Sequence, residues 1–458
     1  MSEGRKEFFD ITPLNEPSDS IYSSEKGNRI ISFVIPSQDT ILQGGEVRLC
    51  GKFRIKRKDG AGATQNVDNT AAGEHGTINP KMGAYSFIDI LTISSADTNQ
   101  QIESIRNYGR MWGSTSSALY SDHDYLGDQS NEADLSTDLN YTTKLVDGGN
   151  SVEFALRLYS GLFSGTGFNG IPLSRVWGLK GCRVDIHLTD DSTALTSWGD
   201  AGMTTGSGGF FELEGLSLMG SVVRPPVEQL QELNKQTTGQ FSYNSINSLY
   251  SVMNSSDHTA SFLPNLKNIV GCFMNFIPVT YLLNYQHDSF DTSRPINSTT
   301  GNGTYDGSLV EFRKVSFFRE GMKFPFQYDI IKGTQTNDTV HAELMRNGVD
   351  SIRNWFRVDH TIMNNEATNL DSNISTNTGV GIKPTGQNLR NAGGNFLIGC
   401  NFDGGFSDMG ADFSNSSFSV NIQSSLGETG YEAPTAVFIY LNARQTLGWS
   451  PQGIEIVE

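Results

Sequence analysis

The sequence predicts an all-β chain with a few short helices, arranged as two tandem β-sandwich halves of jelly-roll or related type and joined by a short helical linker. Three observations carry this. Apolar and polar residues alternate with a period of two in many short runs, each bounded by Gly-, Ser- or Asn-rich turns. The order strand, helix, long polar loop and run of strands occurs twice, on either side of the proline pair in "VVRPPVEQLQELNKQTTGQ". Finally, 458 residues with 27 phenylalanines can fill two sandwich cores of about 200 residues each. Sequence identity between the halves is not evident, so the duplication is one of element order.

Residues 1–27 are polar and proline-punctuated, with Phe8, Phe9 and Ile11 as apolar anchors, and read as an N-terminal arm. Strands begin at "RIISFVIP" and continue in "EVRLCGKFRIK", where Leu49, Phe53 and Ile55 alternate with Arg48, Lys52, Arg54 and Lys56. "AYSFIDILTIS" is apolar on both sides, as an internal strand requires. "SADTNQQIESIRNYGRMW" predicts a helix, capped at Asp97, with apolar positions at Ile102, Ile105, Tyr108 and Trp112. A long acidic loop follows, then the strands "SVEFALRLY", "GCRVDIHLT" and "GGFFELEGLSLMGSVV".

Pro225 and Pro226 stop the last of these strands, and Pro226 suits a helix start. Val227, Leu230 and Leu233 then line one face of about two turns. So short a helix needs tertiary packing, and the expectation is that it docks on both halves and fixes their orientation. In the second half the strand pattern resumes in "NIVGCFMNFIP", "SLVEFRKVSFF" and "FPFQYDII". A second helix is predicted in "TVHAELMRNGVDSIRNWF" on Leu344, Ile352 and Trp355, before the strands "FLIGC", "SFSVNIQSS" and "TAVFIYLNARQTL".

A formal net charge of −17 makes the average surface repel phosphate backbones, which argues against nucleic acid as the main ligand. Met1 opens no charged-then-apolar leader and there is no apolar run of about 18 residues, so neither a signal peptide nor a membrane span is expected. Cys50, Cys182, Cys272 and Cys400 lie far apart with no CxxC pair, and read as reduced, buried small hydrophobes.

The chemistry-bearing motifs are weak. "GTGFNG" places Gly165, Gly167 and Gly170 in a GxGxxG spacing, but Pro172 follows and no helix opens to hold a pyrophosphate, so it reads as a hairpin tip. Asp122, Asp124 and Asp128 surround Gly127 as in a cation-binding loop, yet the fifth and twelfth positions are Leu126 and Ala133, which favours a solvated acidic loop. The seven histidines are scattered, with His187 on the polar side of its strand and His360 after the second helix. No catalytic constellation and no cofactor are indicated. The densest basic run, Arg48, Lys52, Arg54 and Lys56, reads first as the solvated side of an edge strand, and second as a contact with an acidic neighbouring subunit or with packaged nucleic acid.

The stretches "FIDILTISSADTNQQIESIRNYGRMW", "SVEFALRLYSGLFSG", "IPLSRVWGLKGCRVDIHLTDD", "FFELEGLSLMGSVVRPP" and "TAVFIYLNARQTLGWS" resemble the double jelly-roll major capsid proteins of polinton-like viruses and virophages over residues 28 to 450. The resemblance implies two tandem eight-stranded jelly-roll barrels, at 28–224 and 241–449, with a proline-containing linker at 225–240, an arm at 1–27 and a tail at 450–458. It further implies a structural, non-enzymatic protein whose homotrimers have a pseudo-hexagonal outline and tile an icosahedral shell around a double-stranded DNA genome. Neighbouring capsomers, a penton protein and minor capsid proteins would be its partners, with little or no sequence-specific nucleic-acid binding. It would be assembled inside the host cell and reside in the virion. By the same analogy the arm and tail would clamp neighbours, and the modest length implies modest loop insertions. The rival readings are a carbohydrate- or receptor-binding β sandwich such as a viral spike, and a β-sandwich glycoside hydrolase with an unseen carboxylate pair.

Overall fold

A computed structural model of the chain describes residues 5–43, 45, 47–58, 61–66, 76–78, 83–112, 151–163, 171–173, 180–197, 209–236, 238–285, 289–290, 312–325, 330–331, 398–402, 410–428, 434–450 and 453–457. The first half contains β1 (Arg5–Ile11), β2 (Ile21–Tyr22), β3 (Ile30–Ile35), β4 (Ile41–Leu42), β5 (Arg48–Lys58), β6 (Thr64–Asn66), β7 (Gly76–Ile78), β8 (Ile88–Ser95), β9 (Gln101–Arg106), β10 (Val152–Arg157), β11 (Ile171–Pro172), β12 (Cys182–Leu188), β13 (Leu195–Ser197) and β14 (Phe210–Arg224). A helix, Val227–Lys235, follows. The second half contains β15 (Gly239–Met253), β16 (Asp257–Phe262), β17 (Ile269–Pro278), β18 (Phe312–Arg319), β19 (Met322–Lys323), β20 (Ile330–Ile331), β21 (Ile398–Asn401), β22 (Phe418–Ser424), β23 (Thr435–Ser450) and β24 (Gly453–Val457).

In the first half a large sheet ordered β10-β5-β14-β4-β11 carries β1, β2 and β6 beside it, and a four-stranded sheet is ordered β3-β12-β8-β9. The alternation read from sequence sets which side chains fill the space between them. On β12, Cys182, Val184, Ile186 and Leu188 are buried while Arg183, Asp185 and His187 lie on the other, half-buried side. Phe53 of β5 meets Phe87 edge to face at 5.2 Å, and Phe211 of β14 packs on Phe87 at 4.5 Å. Each such ring contributes about 2 kcal/mol or more by burial, so this aromatic cluster anchors the first core.

Two expectations for this half are corrected. Residues 95–106, predicted as a helix, form the turn and second strand of a β8–β9 hairpin, and only 108–112 are helical. Asn99 takes a left-handed conformation (φ 54°) and its N–H bonds to Ser95 O at 2.9 Å, closing the turn. Asp97 caps no helix; its carboxylate accepts the Lys180 N–H at 3.1 Å. The spacing misled because β9 is covered on both sides, which buries Ile102, Glu103 and Ile105 together and erases the period of two. Secondly, β5 is an interior strand between β10 and β14, not an edge.

The expected arm contributes β1, paired antiparallel with β14 from Arg5 opposite Arg224 to Ile11 opposite Leu218. The expected tail contributes β24, which pairs with β23.

The second half stacks a sheet ordered β15-β23-β17-β21 on another ordered β16-β22-β18-β19. Cys272, Met274 and Phe276 of β17, with Val437, Ile439 and Leu441 of β23, point into the second core. Their alternates Phe273, Ile277, Ala436, Phe438 and Tyr440 join the core of the first half. The sheet is therefore buried on both faces, which explains why "NIVGCFMNFIP" and "TAVFIYLNARQTL" are apolar throughout. All four cysteines are free thiols; Cys182, Cys272 and Cys400 are buried, whereas Cys50 is half-buried because it lies on the outer side of β5. The predicted second helix, with Leu344, Ile352 and Trp355, lies outside the described residues.

Candidate functional site

Among the described residues no catalytic or metal-binding cluster gathers, and the contacts between the two halves are the most elaborate polar arrangement. The sequence assigned the joining of the halves to the linker helix. The helix forms, but Val227 is 71% exposed and Leu230 only half-buried, so its first turn is not seated as expected; the Leu233 side chain lies outside the described residues. Pro225 is buried and Pro226 half-buried where the chain leaves β14.

The barrels are instead joined directly, along β9 and β15. Among the described residues each is the end strand of its sheet, so each presents main-chain groups that need partners. Among the described residues no ladder pairs them; side chains do the work. The Tyr243 hydroxyl donates to Ile102 O at 3.1 Å, and Ser248 Oγ donates to Arg106 O at 2.8 Å. Further along, the Tyr440 hydroxyl donates to Asn107 O at 3.3 Å and Asn275 Nδ2 to Arg110 O at 3.2 Å. Four carbonyls of the first barrel are thus satisfied by side chains of the second; the bonds to Ile102 O and Arg110 O are buried and therefore costly to leave unmade, whereas the Ser248 bond is exposed.

Glu103 answers in the opposite direction. It is fully buried, and its carboxylate accepts the Gly161 N–H at 3.0 Å and the Leu162 N–H at 3.2 Å, with Ser160 and the Ile246 N–H of β15 as further donors. Burial pushes its pKa up to about 7 despite these donors. Gly161 lies so close to the Asn244 main chain that a Cβ there would collide with the Asn244 carbonyl. The Arg110 guanidinium completes the joint, 4.9 Å from the centre of the Phe438 ring and 5.3 Å from that of Phe290. None of these residues was singled out from the sequence as a joint contact. The available signal was a polar residue inside a doubly apolar run, as at Asn275 in "FMNFIP".

The basic run lies on the half-buried to exposed side of β5. Lys52 Nζ lies 2.9 Å from Glu153 on β10, Arg54 Nε 3.3 Å from Glu212 on β14, and Arg54 also pairs with Glu214. Lys56 bonds to Asn66 of β6, and Arg48 stands opposite Arg157 and Met219 in the register. Lys52 and Arg54 thus form cross-strand ion pairs within their own sheet. The acidic loop with Asp122, Asp124 and Asp128, the glycines at 165, 167 and 170, and His360 lie outside the described residues. Among the described residues no three His, Cys, Asp or Glu side chains gather as a metal site would require, and no helix is long and apolar enough to cross a membrane.

No protein-family model matches the chain, and no curated protein matches it in sequence. Solved structures do. A chain of the PBCV-1 virus capsid is similar over 100% of this chain and 97% of its own length, with TM-score 0.57 and 10% identity. The Faustovirus major capsid protein is similar over 98% and 91%, with TM-score 0.57 and 10% identity. The mavirus major capsid protein is similar over 98% and 90%, with TM-score 0.52 and 11% identity. The chain therefore has the double jelly-roll fold found in these viral major capsid proteins.

Proposed function

We propose that this chain, built on the double jelly-roll fold of viral major capsid proteins, is itself a non-enzymatic major capsid protein. The observation that carries the reading is the joint: the two halves meet along β9 and β15 and share a sheet buried on both faces, as one tile with two lobes requires. Three such tiles around a threefold axis present six barrels, an outline close enough to a hexagon to pave a facet of an icosahedral shell. In this reading the enclosed genome is double-stranded DNA, the partners are like trimers, a penton protein and minor capsid proteins, and the location is the virion after assembly in the host cell.

The net charge of −17 and the pairing of Lys52 and Arg54 with carboxylates of their own sheet support contact with protein neighbours in preference to direct grip on nucleic acid. Negative-stain imaging of the purified protein tests the reading. Particles with a six-lobed, threefold outline are expected; two-lobed single chains at every concentration would refute it.

A further inference from the structure

We propose that β1 is a pairing edge for a second copy of this chain: two β1 strands meet antiparallel across a twofold axis at Phe8 and join the large sheets of two first halves into one. β14 is flanked by β5 and β4 on one side and by β1 and β2 on the other. β1 therefore borders the sheet, and among the described residues no strand pairs with its outer edge. The main-chain groups of such an edge are a template for a further strand.

The two faces of β1 differ in use. Phe9 and Ile11 pack on the core of the first half, and the Glu7 carboxylate lies 3.8 Å from Arg5 Nε and 3.5 Å from Arg224 of β14. These odd-numbered residues hold β1 on its own barrel. Lys6, Phe8 and Asp10, on the other face, are exposed, Phe8 at 77%, with Lys6 Nζ 5.4 Å from the centre of the Phe8 ring. They stand beside Val223, Ser221 and Met219 of β14, and Met219 is exposed as well. Apolar side chains thus lie in solvent next to an edge that no described strand occupies.

The order of charges selects the occupant. Phe8 is the midpoint of the strand Arg5–Ile11, with a cation two residues before it and a carboxylate two residues after. When two copies pair antiparallel with Phe8 opposite Phe8, the whole strand finds partners, each Lys6 faces Asp10 of the other copy, and the two exposed rings meet. Sliding one strand by two residues loses both charge pairs, and sliding it by four sets Lys6 against Lys6 or Asp10 against Asp10. The strand is therefore complementary to itself in one register, as a contact across a twofold axis requires. The pairing rests on β1 and not on the capsid reading, within which it would join one capsomer to the next.

Cross-linking of the full chain tests this. Phe8→Cys in a Cys50→Ser background places a thiol at the axis, while Cys182, Cys272 and Cys400 are buried. A short bis-maleimide is expected to join these chains into covalent pairs of twice 50.1 kDa on a denaturing gel, with no larger covalent species. Adding Lys6→Glu or Asp10→Lys is expected to slow the cross-link by about tenfold, because both charge pairs of the contact turn repulsive, and adding the two together to restore it. Positions 6, 8 and 10 are exposed, so the fold is expected to be kept, and circular dichroism checks it. The gel reads links between single chains, so the result does not depend on whether threefold capsomers form. Absence of the covalent pair, a rate indifferent to the charge reversals, or no recovery in the combined variant would overturn the proposal.

Discussion

Gly161 of the first barrel lies against the main-chain carbonyl of Asn244 in the second, with no room between them for a side chain. The two halves touch backbone to backbone at this point. A methyl group would have to displace main chain that is held on both sides by the donors to Glu103. Gly161→Ala is therefore expected to cost about 3 kcal/mol, read as a lower midpoint in urea with both barrels still β-rich by circular dichroism.

Tyr243 reaches across the same joint. Tyr243→Phe keeps the ring in its place but leaves Ile102 O and Gln445 Oε1 without that hydroxyl, at an expected cost of about 1–2 kcal/mol. A thermal melt of the full chain measures it, and a variant as stable as the wild type would show that water replaces the bond.

The alternating strands were legible in the sequence because one face of each is polar: β5, β12 and β22 fall where "RLCGKFRIK", "CRVDIHL" and "FSVNIQS" alternate. The joint was not. Ile102 and Ile105 are three apart and both buried, a spacing that suits a helix as well as a strand covered on both sides. Nothing local to Glu103 announces that its partners lie near 161 and 246, because their meeting is made by the packing of one sheet edge on another. The linker attracted the assignment of joint because prolines are conspicuous, whereas Val227 stands in solvent.

Arg54 sits between Glu212 and Glu214 with all three side chains mostly covered. Arg54→Ala leaves two carboxylates facing each other across a lost cation, and about 2 kcal/mol of destabilisation is expected, between the values for exposed and buried pairs. Chemical denaturation checks this. Neither wild type nor R54A is expected to retard double-stranded DNA in a mobility assay, and retardation by the wild type alone would restore a genome-binding role for the stripe.

Replacement of residues 225–236 by a Gly/Ser segment of equal length tests which element sets the geometry of the tile. Because β9 and β15 meet directly, the small-angle scattering profile of the variant is expected to match that of the wild type. A longer radius of gyration would return the task of alignment to the helix.

The mass of the native particle tests the central claim most directly. Three chains of 50.1 kDa give a species of about 150 kDa, and native mass spectrometry of the purified protein is expected to find that trimer as the main component. A single species of 50.1 kDa that persists at every concentration would contradict the account of this chain as one tile of a threefold capsomer.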